Sequence, residues 1–375
     1  MKKDYYLVNY FFQMENRLKK LKEIWIKKVD SFLIVKLEEI KSKNLLYFTN
    51  FTSDDGFFLQ TKNKNYLFAF ERDKEQALRE KFKDLKLLIL NPSKRLFHHL
   101  QEIIKKEKLK SLGVEEDIPL SLFKLLKRKL KIKIKPLKSE EILKIRKIKE
   151  ENEIKILKEA QKITDKIFSK ILNYIIPEKT TEKELALKIY ELAIKYGCDG
   201  VSFPPIIASG SASSIPHYFP QDKKIKNNSP LLIDFGVVYK NYVSDMTRTI
   251  WVGRKINEDF KKAYYIVLEA QKRAIEKCKF DKPIKAKEVD LTAREIIERV
   301  YKNKFIHSTG HGIGLEVHES PYLSQFSKEK LFGNEVVTIE PGVYLENKFG
   351  IRIEDTVITG SGEDITFSDK ELIML

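Results

Sequence analysis

The sequence predicts a two-domain protein whose first domain has an α/β fold, and three observations support this. The chain has 375 residues, enough for two hydrophobic cores, because single domains commonly hold roughly 100–200 residues. Short apolar runs alternate with helical spacing through the first third of the chain. After Pro136 the pattern changes to a long helical segment, so we predict domains over residues 1–137 and 138–375.

The first predicted domain begins with helical spacing over residues 15–28, where apolar side chains recur every three or four positions. Short apolar or alternating runs follow, separated by polar breaks, and each is typical of a strand. The runs are SFLIV (31–35), NLLYFTN (44–50), GFFLQ (56–60), NYLFAF (65–70), KLLIL (86–90) and KIKIK (131–135). Alternation of such strands with helices indicates an α/β domain.

The second predicted domain opens on one long helix, which runs from Ser139 to the end of the segment ILNYI. Pro177 should end this helix, because proline lacks a backbone N–H and clashes with the preceding turn. A second helix should begin at Thr181, whose hydroxyl can cap it and which is followed by glutamates in the first turn. We expect this second helix to cover one face of a sheet in the same domain.

Two strands, PLLIDFGVVY (230–239) and YVSDMTRTIWVG (242–253), are predicted to form a hairpin with a tight turn at Lys240-Asn241. Asp234 and Asp245 can converge on one face of this hairpin, because side chains alternate along a strand and opposite positions face each other. The alternative is that both are ordinary turn or strand-end aspartates. It is weak, because an aspartate among the apolar neighbours of Asp234 needs a charge partner.

Three more candidate ligands follow: His311 in HSTGHGIGLEVHE, Glu340 in VTIEPGVY and Glu354 in GIRIEDT. Together with Asp234 and Asp245 they provide four carboxylates and one imidazole, a set that suits manganese, cobalt or zinc in an open site. Carboxylates gathered without cations would raise each other's pKa values and resist burial, whereas two divalent ions would cancel their charge. We therefore interpret the five side chains as one two-metal site.

The chain has six histidines, and their settings differ. His98 and His99 lie in the amphipathic segment KRLFHHL and are interpreted as surface or packing residues. The other four fall in the second predicted domain: His217, His307, His311 and His318. The glycines that flank His311 allow the backbone to approach an ion closely, and GHGIG lacks the GxGxxG spacing of a dinucleotide-binding loop.

Composition narrows the function classes. A net charge of +17 could serve nucleic-acid binding, but the lysines are scattered over helix faces and loops without interleaved aromatics, so we expect no nucleic-acid partner. Cys198 and Cys278 have no CxxC spacing, which favours a reducing compartment over a disulfide framework. No apolar stretch approaches the roughly 20 residues that span a bilayer, and MKKDYYLVNYFFQM is not expected to be a removed leader.

Each candidate ligand lies in its own flanking signature, and together these signatures resemble the metallopeptidases of the pita-bread fold. The signatures are D-x-G, S-D-M-T-R-T, G-H-G-I-G, I-E-P-G and R-I-E-D. The segments ENRLKKLKEIWIKKVDSFLIV and NLLYFTNFTSDDGFFL resemble the extra domain of the aminopeptidase P and prolidase branch. The resemblance implies an α/β creatinase-like N-terminal domain followed by an α+β pita-bread catalytic domain.

The resemblance also implies a role for each ligand. Asp234 would hold one divalent ion, and His311 with Glu340 would hold the other. Asp245 and Glu354 would bridge the two ions, together with a water or hydroxide whose pKa the metals lower toward neutrality. Mn²⁺ is the first choice for both ions, with Co²⁺ or Zn²⁺ as alternatives, because this ligand set accepts several metals.

Further side chains would act around the metals. His217 and His318 would donate hydrogen bonds to the substrate carbonyl and to the tetrahedral intermediate. His307 would either shape the pocket beside the scissile bond or support its neighbours from behind. Arg352 would orient the carboxylates, and Glu340 could also carry the proton to the leaving nitrogen.

The implied activity is metal-dependent removal of an N-terminal residue that precedes proline, as in Xaa-Pro aminopeptidase. Prolidase, which splits Xaa-Pro dipeptides, is the alternative, because the motifs do not separate the two. A hypothesis from another class is a non-catalytic peptide- or nucleic-acid-binding protein that keeps the fold; the intact ligand set argues against it. The resemblance further implies a homodimer, and a cytoplasmic location is expected.

Overall fold

The computed structural model describes residues 2–38, 40 and 42–375, with side chains described from Met14 onward. The chain divides into two compact units, Met1–Arg146 and Lys147–Leu375. The predicted domain boundary between residues 137 and 138 stays a prediction, because a domain is defined by its ability to fold alone. Across the described residues, no helix is both long enough and apolar enough to cross a membrane.

The first unit alternates helices and strands. Its elements are α1 (Lys2–Trp25), β1 (Ser31–Lys36), α2 (Asn44–Thr49), β2 (Gly56–Thr61), β3 (Asn65–Phe70), α3 (Lys74–Glu80), β4 (Leu85–Leu90), α4 (Leu96–Glu107), β5 (Ser111–Glu115), α5 (Leu120–Lys129), β6 (Lys133–Leu137) and α6 (Ser139–Lys147), of which the last residue belongs to the second unit. The strands form one sheet in the order β4-β3-β2-β1-β5-β6. This alternation confirms the predicted α/β class.

The sheet is mixed. β1, β2 and β3 pair antiparallel, whereas β4, β5 and β6 join it by parallel pairing. One apolar cluster contains residues of β1 together with Leu100 of α4 and Leu126 of α5. His99 is buried, its Nε2 lies 3.2 Å from the carbonyl oxygen of Ile89, and His98 is exposed, which agrees with the packing and surface roles predicted for the two.

Two predictions for the first half of the chain are wrong. The run NLLYFTN is a short helix, α2, which ends at Asn50 in the left-handed conformation (φ 63°). A short buried apolar run fits a helix as well as a strand, so periodicity alone could not decide. The predicted long helix is also interrupted at Ile148–Glu150, where Ile148 forms a β-bridge with Glu335 and Glu150 caps the next helix through a capping box with Glu153.

The second unit contains four helices and fifteen strands among the described residues. Its elements are α7 (Glu151–Ile171), α8 (Glu182–Lys195), β7 (Gly200–Val201), β8 (Ile206–Ser209), β9 (Ser229–Phe235), β10 (Val237–Tyr239), β11 (Tyr242–Val243), β12 (Met246–Val252), α9 (Glu258–Lys277), β13 (Ile284–Lys285), α10 (Ala286–Glu298), β14 (Gly310–Gly312), β15 (Glu319–Leu323), β16 (Lys330–Leu331), β17 (Val336–Ile339), β18 (Gly342–Leu345), β19 (Phe349–Arg352), β20 (Asp355–Ile358) and β21 (Glu363–Asp364). α8 begins, as predicted, after Thr181, whose hydroxyl accepts the N–H of Glu184.

The second unit is built from two similar halves, each with a pair of helices against a sheet. In the first half, α7 and α8 pack on the sheets β12-β9-β8 and β11-β10-β7. In the second half, α9 and α10 pack on the sheet β15-β14-β17-β20-β21 and on the β18-β19 pair. Each pair of helices therefore shares an apolar core with the sheet that it covers.

The predicted hairpin is present, with its turn at Lys240 (φ 50°) and Asn241 (φ 67°). Its strands are interrupted at Gly236 and Ser244. Between the interruption and the turn, β10 pairs with β11, and on the side away from the turn β9 pairs with β12. A Cβ at Gly236 would lie 1.7 Å from the carbonyl oxygen of Ser244, so only glycine lets the two backbones approach this closely. This close approach fixes the strand ends that carry Asp234 and Asp245.

Replacing Gly236 by alanine is expected to destabilise the second unit. The added methyl group would overlap the Ser244 carbonyl and approach Ser202 Oγ to 2.4 Å, and overpacking of this kind costs about 1–3 kcal/mol. Thermal denaturation of the purified chain measures the loss. Gly333→Ala is the matched control, because a Cβ there meets no atom within 4 Å; equal melting temperatures for both variants would contradict this account.

Candidate metal centre and substrate pocket

The five predicted metal ligands come from separate strand ends and line one pocket of about 600 Å³. Asp234 lies on β9, Asp245 just before β12, His311 on β14, Glu340 just after β17, and Glu354 between β19 and β20. The other predicted site residues, His217, His307, His318 and Arg352, line the same pocket. The structure thus brings all nine candidates together.

The pairing of β9 and β12 explains why two aspartates eleven positions apart meet. Thr247 lies directly opposite Asp234, and Asp245 lies two residues before Thr247, so all three side chains point to one face. Thr247 Oγ1 donates to Glu354 Oε2 at 2.7 Å, which ties the β19–β20 junction to this face. The hairpin therefore organises three of the four carboxylates.

His311 faces the carboxylates through its Nε2 atom. Its Nδ1 lies 3.1 Å from the carbonyl oxygen of Gly312 and must donate to it, because a carbonyl can only accept. Its Nε2 lies 3.2 Å from Glu340 Oε1 and 3.9 Å from Asp245 Oδ2. A neutral imidazole with this tautomer would present the Nε2 lone pair to an ion, which is the orientation that a metal ligand needs.

Burial makes the carboxylates costly to ionise. It raises the pKa of Asp245 well above its ordinary value, and the neighbouring charge of Asp234 raises it further. The pKa of Glu354 is raised well above its ordinary value by burial and then by Asp245. The pKa of Asp234 is also raised by burial, although the guanidinium of Arg352 opposes the shift.

His311 and Glu340 behave as an ion pair in the metal-free protein. Burial alone would raise the pKa of Glu340, but the hydrogen bond and charge of His311 bring it to about 2. Burial alone would lower the pKa of His311, but Glu340 raises it to about 9. Ion pairing with Glu340 thus occupies the Nε2 atom that a metal would use.

The residues present fit divalent cations. Asp245, His311 and Glu354 each offer a ligand atom, and these atoms lie within 4.8 Å of one another. Asp234 Oδ1 and Glu354 Oε1 are buried with no hydrogen-bond partner, and such orphaned oxygens are expensive unless something binds them. Cations at this position would satisfy both oxygens and offset the gathered negative charge.

A hydrogen-bonded chain runs behind the site and includes a residue that sequence reasoning missed, Tyr344. Arg352 Nη2 donates to Asp234 Oδ2 at 2.5 Å, and Arg352 Nη1 donates to the Tyr344 hydroxyl at 2.7 Å. The hydroxyl lies 2.9 Å from His307 Nε2, and His307 Nδ1 lies 2.8 Å from the carbonyl oxygen of Ser308. Both nitrogens of His307 are therefore used inside the protein.

His217 and His318 occupy a different position. Both are exposed side chains that line the pocket, so they are accessible to a substrate. The His318 ring packs edge-on against His311, with 4.3 Å between ring centroids. The part of the ring that is shielded from water, followed by the charge of His311, lowers the pKa of His318, which favours a neutral ring that can donate one hydrogen bond.

Two protein-family models match this chain, one for each of its two units. The model of metallopeptidase family M24 matches residues 155–361, and the creatinase/prolidase N-terminal domain matches residues 17–148. The chain therefore belongs to metallopeptidase family M24, with the α/β N-terminal domain and pita-bread catalytic domain that the resemblance implied. Membership implies divalent metal ions, and the cluster of Asp245, His311 and Glu354 is a possible site for them.

Individual relatives match nearly the whole length of this chain. A Xaa-Pro dipeptidase of Pyrococcus horikoshii is 39% identical over 366 residues, which are 96% of this chain and 99% of the relative. The structure is similar to a Xaa-Pro dipeptidase from Bacillus anthracis (TM-score 0.89, 34% identity, 96% of this chain and 100% of that one). It is also similar to an X-Pro aminopeptidase from Thermotoga maritima (TM-score 0.86, 34% identity, 95% and 100%).

Proposed function

We propose that the protein is a metal-dependent exopeptidase that hydrolyses Xaa-Pro bonds, with Xaa-Pro dipeptides as the first candidate substrates. The observation that carries the proposal is the cluster of four carboxylates and one histidine at an accessible pocket, in which every member except the partly exposed Glu340 is buried. The relatives that match nearly the whole chain support the proline specificity, because the Pyrococcus horikoshii and Bacillus anthracis proteins both carry the name Xaa-Pro dipeptidase.

The metal ligands in this proposal are Asp234, Asp245, His311, Glu340 and Glu354, with Mn²⁺ as the first choice. Divalent ions supply Lewis-acid polarisation of the scissile carbonyl and lower the pKa of water. The protein side chains do the rest. Arg352 and Thr247 hold Asp234 and Glu354 in fixed orientations through the hydrogen bonds described above.

The remaining roles concern proton and charge. His318 and His217 are placed to donate hydrogen bonds to the substrate carbonyl oxygen as negative charge develops there. Glu340 could carry a proton from the attacking water to the leaving proline nitrogen. His307 Nε2 accepts a hydrogen bond from the Tyr344 hydroxyl, and Nδ1 donates one to the carbonyl oxygen of Ser308. His307 therefore forms part of the pocket wall rather than donating to the substrate.

Xaa-Pro aminopeptidase action on longer peptides is the second candidate, and sequence analysis placed it first. One observation favours it. Among the described residues that line the pocket, Arg352 is the one arginine or lysine, and its guanidinium already bonds Asp234, Thr247 and Tyr344. The free carboxylate of a bound dipeptide therefore lacks an available cationic partner in this pocket, whereas a longer peptide would place no charge there.

Side-by-side hydrolysis of Ala-Pro, Ala-Pro-Ala and Ala-Ala-Ala by the manganese-loaded full chain tests the proposal. We expect both proline peptides to be cleaved roughly 10–200-fold faster than Ala-Ala-Ala, which is the range that pocket shape provides. Ala-Pro fastest identifies a dipeptidase, and Ala-Pro-Ala fastest identifies an aminopeptidase. Equal cleavage of Ala-Ala-Ala would contradict the proline specificity, and no cleavage would favour the non-catalytic binding protein.

We also propose a homodimer in the cytoplasm. The resemblance supports the dimer, and the buried free thiols of Cys198 and Cys278 are compatible with a reducing compartment. Light scattering coupled to size-exclusion chromatography measures the mass directly. A mass of about one chain, 44.0 kDa, would contradict the dimer.

A further inference from the structure

We infer that Lys149 and Glu319 are positioning residues that fix the loop bearing His318, and that they affect catalysis only through that histidine. This inference rests on the proposed function of His318 at the substrate carbonyl. It concerns a buried ion pair that lies outside the pocket-lining residues. Lys149 belongs to the short segment between α6 and α7, far in sequence from the site.

The two side chains meet in an almost dry environment. Lys149 Nζ donates to Glu319 Oε2 at 3.1 Å, and their side chains are 1% and 3% exposed. A buried ion pair is a poor source of stability, because removing both ions from water costs about as much as their attraction returns. An apolar pair of similar volume would often serve stability equally well, so the charges at this position call for another explanation.

The second oxygen of Glu319 supplies that explanation. Oε1 accepts the backbone N–H of Leu315 at 2.9 Å and that of Glu316 at 3.0 Å. The loop wraps tightly around the carboxylate, because a Cβ at Gly314 would lie only 2.9 Å from Glu319 Oε2. The Glu319 carboxylate thus links the two ends of the loop at residues 314–319 by hydrogen bonds, and His318 lies within that loop.

A second lysine holds the far side of the same segment. Lys147 Nζ donates to Glu329 Oε2 at 3.2 Å and to the carbonyl oxygen of Lys330 at 2.8 Å. Glu329 in turn accepts the hydroxyl of Ser320 and the backbone N–H of Tyr322. Two lysines two positions apart therefore anchor the chain immediately before and after His318. We call these four residues, Lys147, Lys149, Glu319 and Glu329, the lysine clamp.

The clamp matters for His318 because, within the part of the chain that the structure describes, its ring makes one aromatic contact. His318 is exposed on the pocket side, and its ring contact within the site is the edge-on packing against His311. A hydrogen-bond donor that stabilises developing charge must be held before the reaction, since misplacement by about 1 Å can cost roughly 100-fold in rate. Lys149 and Glu319 provide that rigidity from behind the loop.

Two double variants separate charge from hydrogen bonding. Lys149→Met/Glu319→Gln removes both charges but keeps an oxygen for the two N–H groups, whereas Lys149→Met/Glu319→Leu removes the oxygen as well. Hydrogen–deuterium exchange of the Leu315 and Glu316 amides should be nearly unchanged in the first variant and at least about tenfold faster in the second. This measurement needs no turnover, so it judges the clamp even if Xaa-Pro hydrolysis is not found.

Kinetics then tests the route through His318. Xaa-Pro peptide hydrolysis is measured first in the otherwise unmodified protein. There, Lys149→Met/Glu319→Leu should lower kcat at least about tenfold with little change in KM. In a His318→Ala background the same double substitution should lower kcat less than about twofold, because coupled residues are not additive. A similar fall in both backgrounds, or unchanged amide exchange in the Leu variant, would overturn the inference.

Should the Leu variant fail to fold, Lys149→Met/Glu319→Asn replaces it. The shorter amide side chain withdraws the oxygen from Leu315 and Glu316 without adding apolar bulk. The same exchange and kinetic outcomes are expected, and the same results would overturn the inference. Wild-type exchange protection at these two amides is itself a requirement: their rapid exchange in the unmodified chain would remove its basis.

Discussion

Replacement of Asp245 by asparagine is expected to reduce Xaa-Pro hydrolysis by more than about 100-fold while making the metal-free protein more resistant to heat. Even residues that merely support metal ligands cost roughly 10–100-fold on substitution, so loss of a bridging ligand should exceed that range. Peptide hydrolysis with excess Mn²⁺ and metal content after dialysis measure the first effect.

The opposite effect on stability follows from charge. Asp245 is buried beside Asp234 and Glu354, and both burial and Asp234 raise its pKa well above the ordinary value. Its ionised form therefore opposes folding when no cation is present, and asparagine removes that charge while keeping the shape. A gain of about 1 kcal/mol in chelator-treated protein corresponds to roughly 2–4 °C in Tm for a unit of this size.

Asp281→Asn is the matched control, because Asp281 is exposed and lies outside the pocket. It should alter neither hydrolysis nor metal-free Tm. Loss of activity together with a lower metal-free Tm in Asp245→Asn would instead point to a structural aspartate. The two readouts moving in opposite directions are the signature of a metal ligand that is electrostatically costly in the empty protein.

The fold was predictable where local signals agreed with tertiary context. The hairpin at Lys240-Asn241 and the cap at Thr181 combine turn or capping residues with clear periodicity, and both are observed. The helical reading of NLLYFTN was not available from its apolar run, and β5, with Gly113 at its centre, gave no strand signal. Propensity is a weak guide wherever packing decides the conformation.

The residues of the site also divide into those that the sequence predicts and those that it does not. Ligand candidates were visible because each sits in a distinctive flanking motif, and the structure gathers them in one pocket. Tyr344, Lys149 and Asp290 were missed, since they act on residues distant in sequence. Asp290, for example, accepts both the N–H and the hydroxyl of Thr309, and Thr309 accepts the N–H of Glu340. Such supports become recognisable only after the chain has folded.

Replacement of Arg248 by methionine is expected to cause the largest loss of stability, about 3–5 kcal/mol, which is the cost of breaking a buried ion pair by removing one partner. Arg248 follows Thr247 on β12 and so points away from the metal cluster. Its guanidinium donates to Asp355 Oδ1 at 2.6 Å and to the carbonyl oxygen of Glu354 at 2.6 Å. It also donates to two carbonyl oxygens of the C-terminal segment, at Ser368 and Asp369.

Methionine fills similar space but donates no hydrogen bond, so these carbonyls and one side of the Asp355 carboxylate would lose their partner in a dry environment. Lys370 and Gln271 still contact Asp355, which keeps its charge partly compensated and should let the variant fold. Differential scanning calorimetry should show a Tm lower by roughly 6–20 °C. Arg273→Met removes an exposed arginine paired with Glu269 and Glu276 on α9, and it should leave Tm nearly unchanged. Equal shifts for the two arginines would mean that burial of the Arg248 pair contributes nothing specific to the fold.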